Sequence, residues 1–176
     1  MKFFSDIRLL LLAVWLGAAV FFIGVAQTAF AVLADQRELA GAVVGRNLSL
    51  LNYAGMAIAV ILILTSLVGT SKISTLWLWV ERFLLLLLGA ACTVGQFVIG
   101  FWLASVRVQM GKPIEEVAAD DPLRVQFNML HQYSEWVLLA AMVAAFLTFF
   151  IISNRKFGNP KVEKTEVYDF SKEFKV

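Results

Sequence analysis

His131 and Glu135 are the two residues of this sequence that are best suited to hold a metal ion together. They are four positions apart, so on a helix the two side chains lie on one face, one turn apart. An imidazole nitrogen and a carboxylate oxygen are common ligands of zinc and other transition metals. In the simpler alternative, His131 lies in water at a membrane surface and Glu135 pairs with Arg46 or Arg124. The pattern therefore makes these two residues weak metal-ligand candidates and leaves the metal unknown.

Three uncharged polar side chains lie inside long apolar segments, where a polar group is costly and often functional. They are Gln27, Asn52 and Gln96. Together with Ser134, His131 and Glu135 they are candidates to line a pocket that binds a small molecule or an ion. In the alternative interpretation they only form hydrogen bonds between helices, which contribute about 0.6 kcal/mol each.

The motifs of most enzyme classes are missing from the sequence. It contains no Ser/His/Asp set on a nucleophile elbow, no HExxH and no phosphate-binding loop. The single cysteine, Cys92, cannot form an internal disulfide. We therefore expect no enzymatic activity. We also expect no cofactor, since haem held by two histidines would need a second histidine.

The composition is that of a protein whose solvent is the bilayer. The chain is 60% hydrophobic and 16% charged, and its mean hydropathy is +0.80. Charge-free stretches long enough to cross a bilayer lie at 9–34, 48–71, 83–106 and 136–154. With their flanking residues they predict spans at about 9–34, 48–71, 76–106 and 131–153. The predicted fold is an all-α, integral membrane four-helix bundle in domain 1–153, followed by a cytoplasmic tail, 154–176. Its partner is the lipid bilayer. The net charge of +2 is too small to suggest nucleic-acid binding.

Several local signals predict where helices begin and which faces meet. Asp35 is expected to cap the second helix, and Asp121 followed by Pro122 to start the fourth one well before its apolar part. Ala13, Gly17, Gly24 and Thr28 share one face of the first helix and are predicted to face inward, as are Asn52, Gly55 and Ala59 of the second. The five tryptophans are expected near the span ends, in an aromatic belt. The glycines expected at helix contacts are Gly17, Gly24, Gly41, Gly45, Gly55, Gly89 and Gly100.

Lysine and arginine counts predict the orientation. Ten of these residues fall on the side of both termini and five on the other side, so both termini are expected to be cytoplasmic in a bacterial-type inner membrane. The candidate pocket residues then gather in the outer half of the bundle. The inner half is almost purely apolar apart from Glu81 and Arg82, which are expected to snorkel or to form an ion pair.

Three short motifs resemble a known membrane family. They are Trp15-Leu16-Gly17 with Phe21-Phe22, the segment Ala40-Gly41-Ala42-Val43-Val44-Gly45, and Leu130-His131-Gln132-Tyr133-Ser134. Over roughly residues 8–153 the chain resembles the domain of unknown function 4149 family, the transmembrane protein 205-like group. The resemblance implies four membrane helices without an established activity, and it marks His131 and Ser134 as motif positions.

The sequence is compatible with two functions from different classes. The first is binding or transport of a small solute or metal ion through the polar pocket. The second is an accessory or assembly subunit without its own chemistry, which would act as a homo-oligomer or bind a partner in a membrane complex.

Overall fold

The computed structural model describes residues 2–67 and 75–154, and these residues form long helices with no strand among them. The helices are α1 (Lys2–Val32), α2 (Arg37–Ser66), α3 (Thr75–Thr93), α4 (Gly100–Met110) and α5 (Pro122–Ser153). A π-helical segment, Val94–Ile99, joins α3 to α4 without a break. A short 3-10 turn, Ile114–Glu116, lies in the connection to α5.

Four segments are long and apolar enough to cross a membrane, as the sequence predicts. They are Phe3–Val32, Arg37–Ser66, Thr75–Met110 and Pro122–Ser153. Within residues 2–67 and 75–154, the prediction of an all-helical fold with four such helices is confirmed. The predicted tail beyond Asn154 and the end of the second span beyond Leu67 lie outside the described residues.

Each long helix packs on two neighbours. α1 contacts α2 and α5, and α3 contacts α2 and α5. Residue pairs at these contacts run in opposite directions: Arg8 meets Leu62, and Trp15 meets Leu51. Consecutive long helices are therefore antiparallel. We call the end where α1 and α3 begin the ion-pair end, and the end where α2 and α5 begin the cleft end.

The core is built from large residues on α1 and small residues on its neighbours. Leu12, Trp15 and Ala19 of α1 are buried, at spacings of three and four residues that place them on one helix face. A Cβ added at Gly55 of α2 would lie 2.5 Å from Sγ of Cys92. The glycine is therefore what lets α2 and α3 approach beside the Trp15 ring.

The inward face predicted for α1 was wrong. Ala13, Gly17, Gly24 and Thr28 are exposed, and the large-residue stripe faces the core instead. Trp15 is also not a member of an aromatic belt, since it is 2% exposed. Its indole N–H donates to the carbonyl of Leu51 at 3.0 Å, and this bond satisfies the polar edge of a buried ring.

The inward face predicted for α2 is confirmed, because Asn52, Gly55 and Ala59 are all buried. The other four tryptophans are exposed, at Trp77, Trp79, Trp102 and Trp136.

The helix starts show one correct and one wrong cap prediction. Asp121 caps α5, because its Oδ1 accepts from the Leu123 amide at 2.8 Å with Pro122 in the first turn. Asp35 does not cap α2. The N-cap residue of α2 is Gln36, whose side chain makes no capping hydrogen bond. Asp35 instead falls within the tight connection that the Gln36 amide closes on the Leu33 carbonyl at 2.9 Å.

Candidate binding cleft

A cleft of about 850 Å³ opens at the end of the molecule where α2 and α5 begin. One wall is α2 and the other is formed by residues 94–107 with the first turns of α5. Its lining includes Gly41, Gly45, Leu48, Asn52, Gly95, Gln96, Gly100, Arg107, Phe127, Asn128, His131 and Ser134. The volume is in the upper part of the range found for small-molecule sites.

The cleft exists because α4 leaves α2 and packs on α5. α2 contacts α3 and the π-helical segment, whereas α4 contacts α5. The segment Val94–Ile99 contains an i to i+5 hydrogen bond in which the Gly100 amide donates to the Gly95 carbonyl. Insertions of this kind redirect a helix and are frequent at functional sites. On the opposite wall, Gly41 and Gly45 present no side chain that would fill the gap.

Asn52 lies at the floor of the cleft, where the walls converge. It is 6% exposed, and a Cβ built on Gly95 would lie 3.4 Å from its Nδ2. Its side-chain amide makes no hydrogen bond to any residue within 2–67 or 75–154. A second small cavity of about 10 Å³ borders Asn52 and Ser134, close to the minimum that holds one water molecule. The amide therefore has unused hydrogen-bonding capacity at the floor of the cleft, which a ligand can take up.

Other neutral polar groups surround this floor. Nε2 of Gln96 lies 3.4 Å from the hydroxyl of Tyr53, which accepts from it. The hydroxyl of Ser134 donates to the carbonyl of His131 at 2.9 Å. The floor of the cleft therefore offers amide and hydroxyl groups and no formal charge.

Charged groups lie at the mouth and nearly balance. Arg37, Glu38, Arg107 and Glu115 line it. The guanidinium carbon of Arg107 lies 5.4 Å from the centre of the Phe127 ring, a cation–π distance. The mouth thus presents two arginines and two glutamates among its lining residues.

The structure brings four of the six predicted pocket residues to this cleft and leaves two outside it. Asn52, Gln96, His131 and Ser134 line it. Gln27 is exposed on the outward face of α1, and the Glu135 side chain is 68% exposed. Gln27 lies outside the cleft because it neighbours Gly24 and Thr28 on the face of α1 that points away from the core.

The two candidate metal ligands, His131 and Glu135, contact each other at the exposed surface. Nε2 of His131 lies 3.5 Å from Oε1 of Glu135, and both side chains are more than half exposed. The His131 ring stacks on Phe127, with the centroids 6.4 Å apart. Among the described residues, no three histidine, cysteine, aspartate or glutamate side chains are grouped so that they could hold a metal ion.

The predicted packing glycines fall into three groups. Gly55 and Gly89 lie at tight helix contacts, and a Cβ at Gly89 would lie 3.2 Å from the Ala59 Cβ. Gly41, Gly45 and Gly100 line the cleft. Gly17 and Gly24 face open space, with no atom within 4 Å of an added Cβ.

A buried ion pair at the opposite end was only half anticipated. Glu81 is 0% exposed and Arg8 6% exposed, and Nη2 of Arg8 pairs with Oε1 of Glu81. Nη2 of Arg8 also donates to the Leu62 carbonyl at 3.0 Å. The sequence predicts that Glu81 snorkels or forms an ion pair, but it does not identify Arg8 as the partner. The missed signal is that Arg8 precedes Leu12, Trp15 and Ala19 on the same helix face.

Arg82 joins α3 to the end of α2 beside this pair. Its Nη2 donates to the Ser66 carbonyl at 2.9 Å, and its Nε donates to the Ser66 hydroxyl at 3.2 Å. The charged side chains of the ion-pair end are thus bonded across three helices, and Nε of Arg8 is buried there without a hydrogen-bond partner among the described residues.

Comparison with known proteins gives one match. A family model described as Domain of unknown function (DUF4149) matches residues 10–112. The match covers more than half of the chain and includes Asn52, Gly95 and Gln96. It ends before α5, so the motif at 130–134 lies outside it, and the likeness to the transmembrane protein 205 group stays a prediction. No curated protein and no solved structure matches the chain.

Proposed function

The chain belongs to the DUF4149 family, and we propose that it is a membrane protein that binds a small solute in the cleft beside Asn52. The observation that carries the proposal is a side-chain amide that is 6% exposed, has no hydrogen-bond partner within the described ranges, and lines a cleft of about 850 Å³. A bound solute that bonds to this amide would recover the free energy lost by burying it.

The proposed setting is a four-helix bundle in a bacterial-type cytoplasmic membrane, with the cleft at the outer face. The excess of lysine and arginine on the side of the termini supports this orientation. The antiparallel helices place Lys2 and Asn154 at the same end of the molecule, opposite the cleft. In this arrangement the cleft would take its solute from the outer side or from the outer leaflet.

A solute is favoured over a metal ion as the ligand. The floor offers neutral amide and hydroxyl groups from Asn52, Gln96 and Tyr53, whereas most metal ions are held by imidazole, thiolate or several carboxylates. His131 lines the cleft, but its contact with Glu135 is exposed. The proposal includes no chemical step, so the protein would bind or carry its solute unchanged.

The test is native mass spectrometry of the full chain, extracted from its own membrane in a mild detergent. A bound small molecule is expected with the wild type and with Asn47→Leu, and it should be lost with Asn52→Leu. Asn47 is the matched control because it is exposed on the same helix and its side chain bonds only to the Val43 carbonyl, at 2.8 Å. Equal retention of the molecule by Asn52→Leu would contradict the proposal.

The α2 wall of the cleft favours a second function, which is to bind a partner helix. A Cβ added at Gly45 would meet no atom within 4 Å, and small residues spaced by four let a second helix approach closely. A partner helix, from another subunit or from a second copy of the chain, would then fill the cleft. In the same experiment this function predicts a stoichiometric polypeptide that is lost with Gly45→Leu, with no small molecule bound.

A further inference from the structure

The sides of the cleft have a different character from its floor. Phe97 and Phe101 line it, and they are 56% and 70% exposed. Phe30 at the end of α1 also lines it and is 40% exposed. These rings lie on segments long and apolar enough to cross a membrane, so in a bilayer they would contact acyl chains. The cleft therefore opens sideways through an apolar gap.

The floor lies far from the charges of the mouth. Arg37 and Asn52 are fifteen residues apart on α2, which is about 22 Å along a helix. A ligand group bonded to Asn52 would be surrounded by neutral side chains at mid-height of the helices. Placing a formal charge there without a partner is costly, so the group that reaches Asn52 should be uncharged.

We infer that the ligand of this cleft is an amphiphile dissolved in the bilayer, with an uncharged head bearing carbonyl or hydroxyl oxygens. The head bonds to the Asn52 amide, and its hydrocarbon chain leaves between α2 and the wall of residues 94–107, past Phe97 and Phe101. This inference rests on the proposed function and narrows it. It excludes a water-soluble solute, which would gain nothing from an apolar side opening. It also excludes an anionic amphiphile, whose charged head would be buried at the floor without a partner.

The volume and the shape agree with such an occupant. About 850 Å³ is large enough for a ring or glycerol head with part of a chain. The open side lets the rest of the chain stay in lipid, so the site need not enclose the whole molecule. Gly41 and Gly45 have no side chain, so the α2 wall leaves room for the hydrocarbon chain of the ligand.

The experiment measures dissociation constants by native mass spectrometry for four probes added to the purified full-length protein. Decylubiquinone and 1-decanoylglycerol carry uncharged heads on ten-carbon chains. Decyl sulfate pairs an anionic head with the same chain length, and ubiquinone-0 is the quinone head alone. At least one of the first two should bind more tightly than decyl sulfate and ubiquinone-0.

Two substitutions locate the binding. Asn52→Leu removes the hydrogen bonds to the head and should weaken binding about tenfold or more. Gly45→Leu fills the α2 wall, where an added Cβ meets no atom within 4 Å, and should weaken binding similarly without touching the core. Asn47→Leu should bind as the wild type does. If Asn52→Leu fails to fold, the loss of amphiphile binding with Gly45→Leu still tests the inference.

The outcomes separate this inference from the proposed function. If neither uncharged amphiphile binds, or if decyl sulfate or ubiquinone-0 binds as tightly, the ligand class is wrong. The proposed function survives that result if a co-purifying solute is still lost with Asn52→Leu. A polypeptide seated in the cleft, with no small molecule, overturns both. Binding that neither Asn52→Leu nor Gly45→Leu weakens places the amphiphile elsewhere and overturns the inference.

Discussion

Replacing Glu81 by leucine should lower the free energy of unfolding by about 3–5 kcal/mol, the usual cost of removing one partner from a buried ion pair. Glu81 is 0% exposed and pairs with Arg8, which is 6% exposed. Without the carboxylate, the guanidinium keeps its bond to the Leu62 carbonyl but loses the opposite charge that offsets its burial. Arg8→Met should cost a similar amount, because it leaves the carboxylate buried without this cation.

The double variant, Arg8→Met with Glu81→Leu, should be much more stable than the sum of the two single losses predicts. It removes both charges and leaves apolar side chains of similar length, a replacement that is often neutral or stabilising by 1–4 kcal/mol in other proteins. The expected coupling between the two sites is therefore several kcal/mol, well above the 0.5 kcal/mol that separates coupled from independent sites.

The measurement is reversible unfolding in mixed micelles of dodecyl maltoside and increasing SDS, followed by far-ultraviolet circular dichroism. Arg46→Met is the control, because Arg46 is exposed and the same charge is lost without a buried partner. It should change stability by less than about 0.5 kcal/mol. Additive losses in the double variant would refute the reasoning, as would a Glu81→Leu protein as stable as the control.

Two further predictions test the packing and the helix start. Gly55→Ala should destabilise the fold by about 1–3 kcal/mol in the same unfolding assay, because the new Cβ would lie 2.5 Å from Sγ of Cys92. Gly45→Ala, on the same helix in open space, should be neutral or slightly stabilising. Equal effects of the two substitutions would contradict the close packing of Gly55 against Cys92. Asp121→Ala should cost about 0.5–2 kcal/mol because it removes the cap of α5. Asp35→Ala should cost almost nothing, and a loss as large as that of Asp121→Ala would show that Asp35 does cap α2.

The helices themselves could be predicted because their signals are local. A charge-free stretch of sufficient length identifies a membrane helix wherever it packs. The pair Asp121 and Pro122 marks a helix start by its own chemistry. α2 and α5 begin at Arg37 and Pro122, before the spans predicted from residues 48 and 131, as the helix starts expected after Asp35 and Asp121 indicate.

The faces of the helices could be predicted only where a polar residue marked them. In lipid, the outside of a helix is as apolar as its inside, so hydropathy does not separate the two. On α2, Asn52 identified the correct stripe. On α1, the small residues Ala13, Gly17 and Gly24 suggested the wrong one, because the close approach is made by Gly55 of the neighbouring helix against the Trp15 ring.

The candidate site was partly predictable for the same reason. Asn52 and Gln96 are polar groups in apolar helices, and their sequence positions alone indicate that they need partners. The divergence of α4 from α2 could not be derived, because it depends on the hydrogen-bond shift within Val94–Ile99.

The buried polar side chains at the two ends of the molecule differ in the partners that they already have, and this difference supports a ligand at the cleft end. At the ion-pair end, Arg8 is held by Glu81 and the Leu62 carbonyl, and Arg82 is held by Ser66. A ligand there would have to replace bonds that already exist, at little net gain. At the cleft end, Asn52 is as deeply buried as Arg8 and makes no such bond to the described residues. A ligand at Asn52 therefore adds hydrogen bonds without breaking any within the described residues. At the opposite end, the ion pair joins α1 to α3.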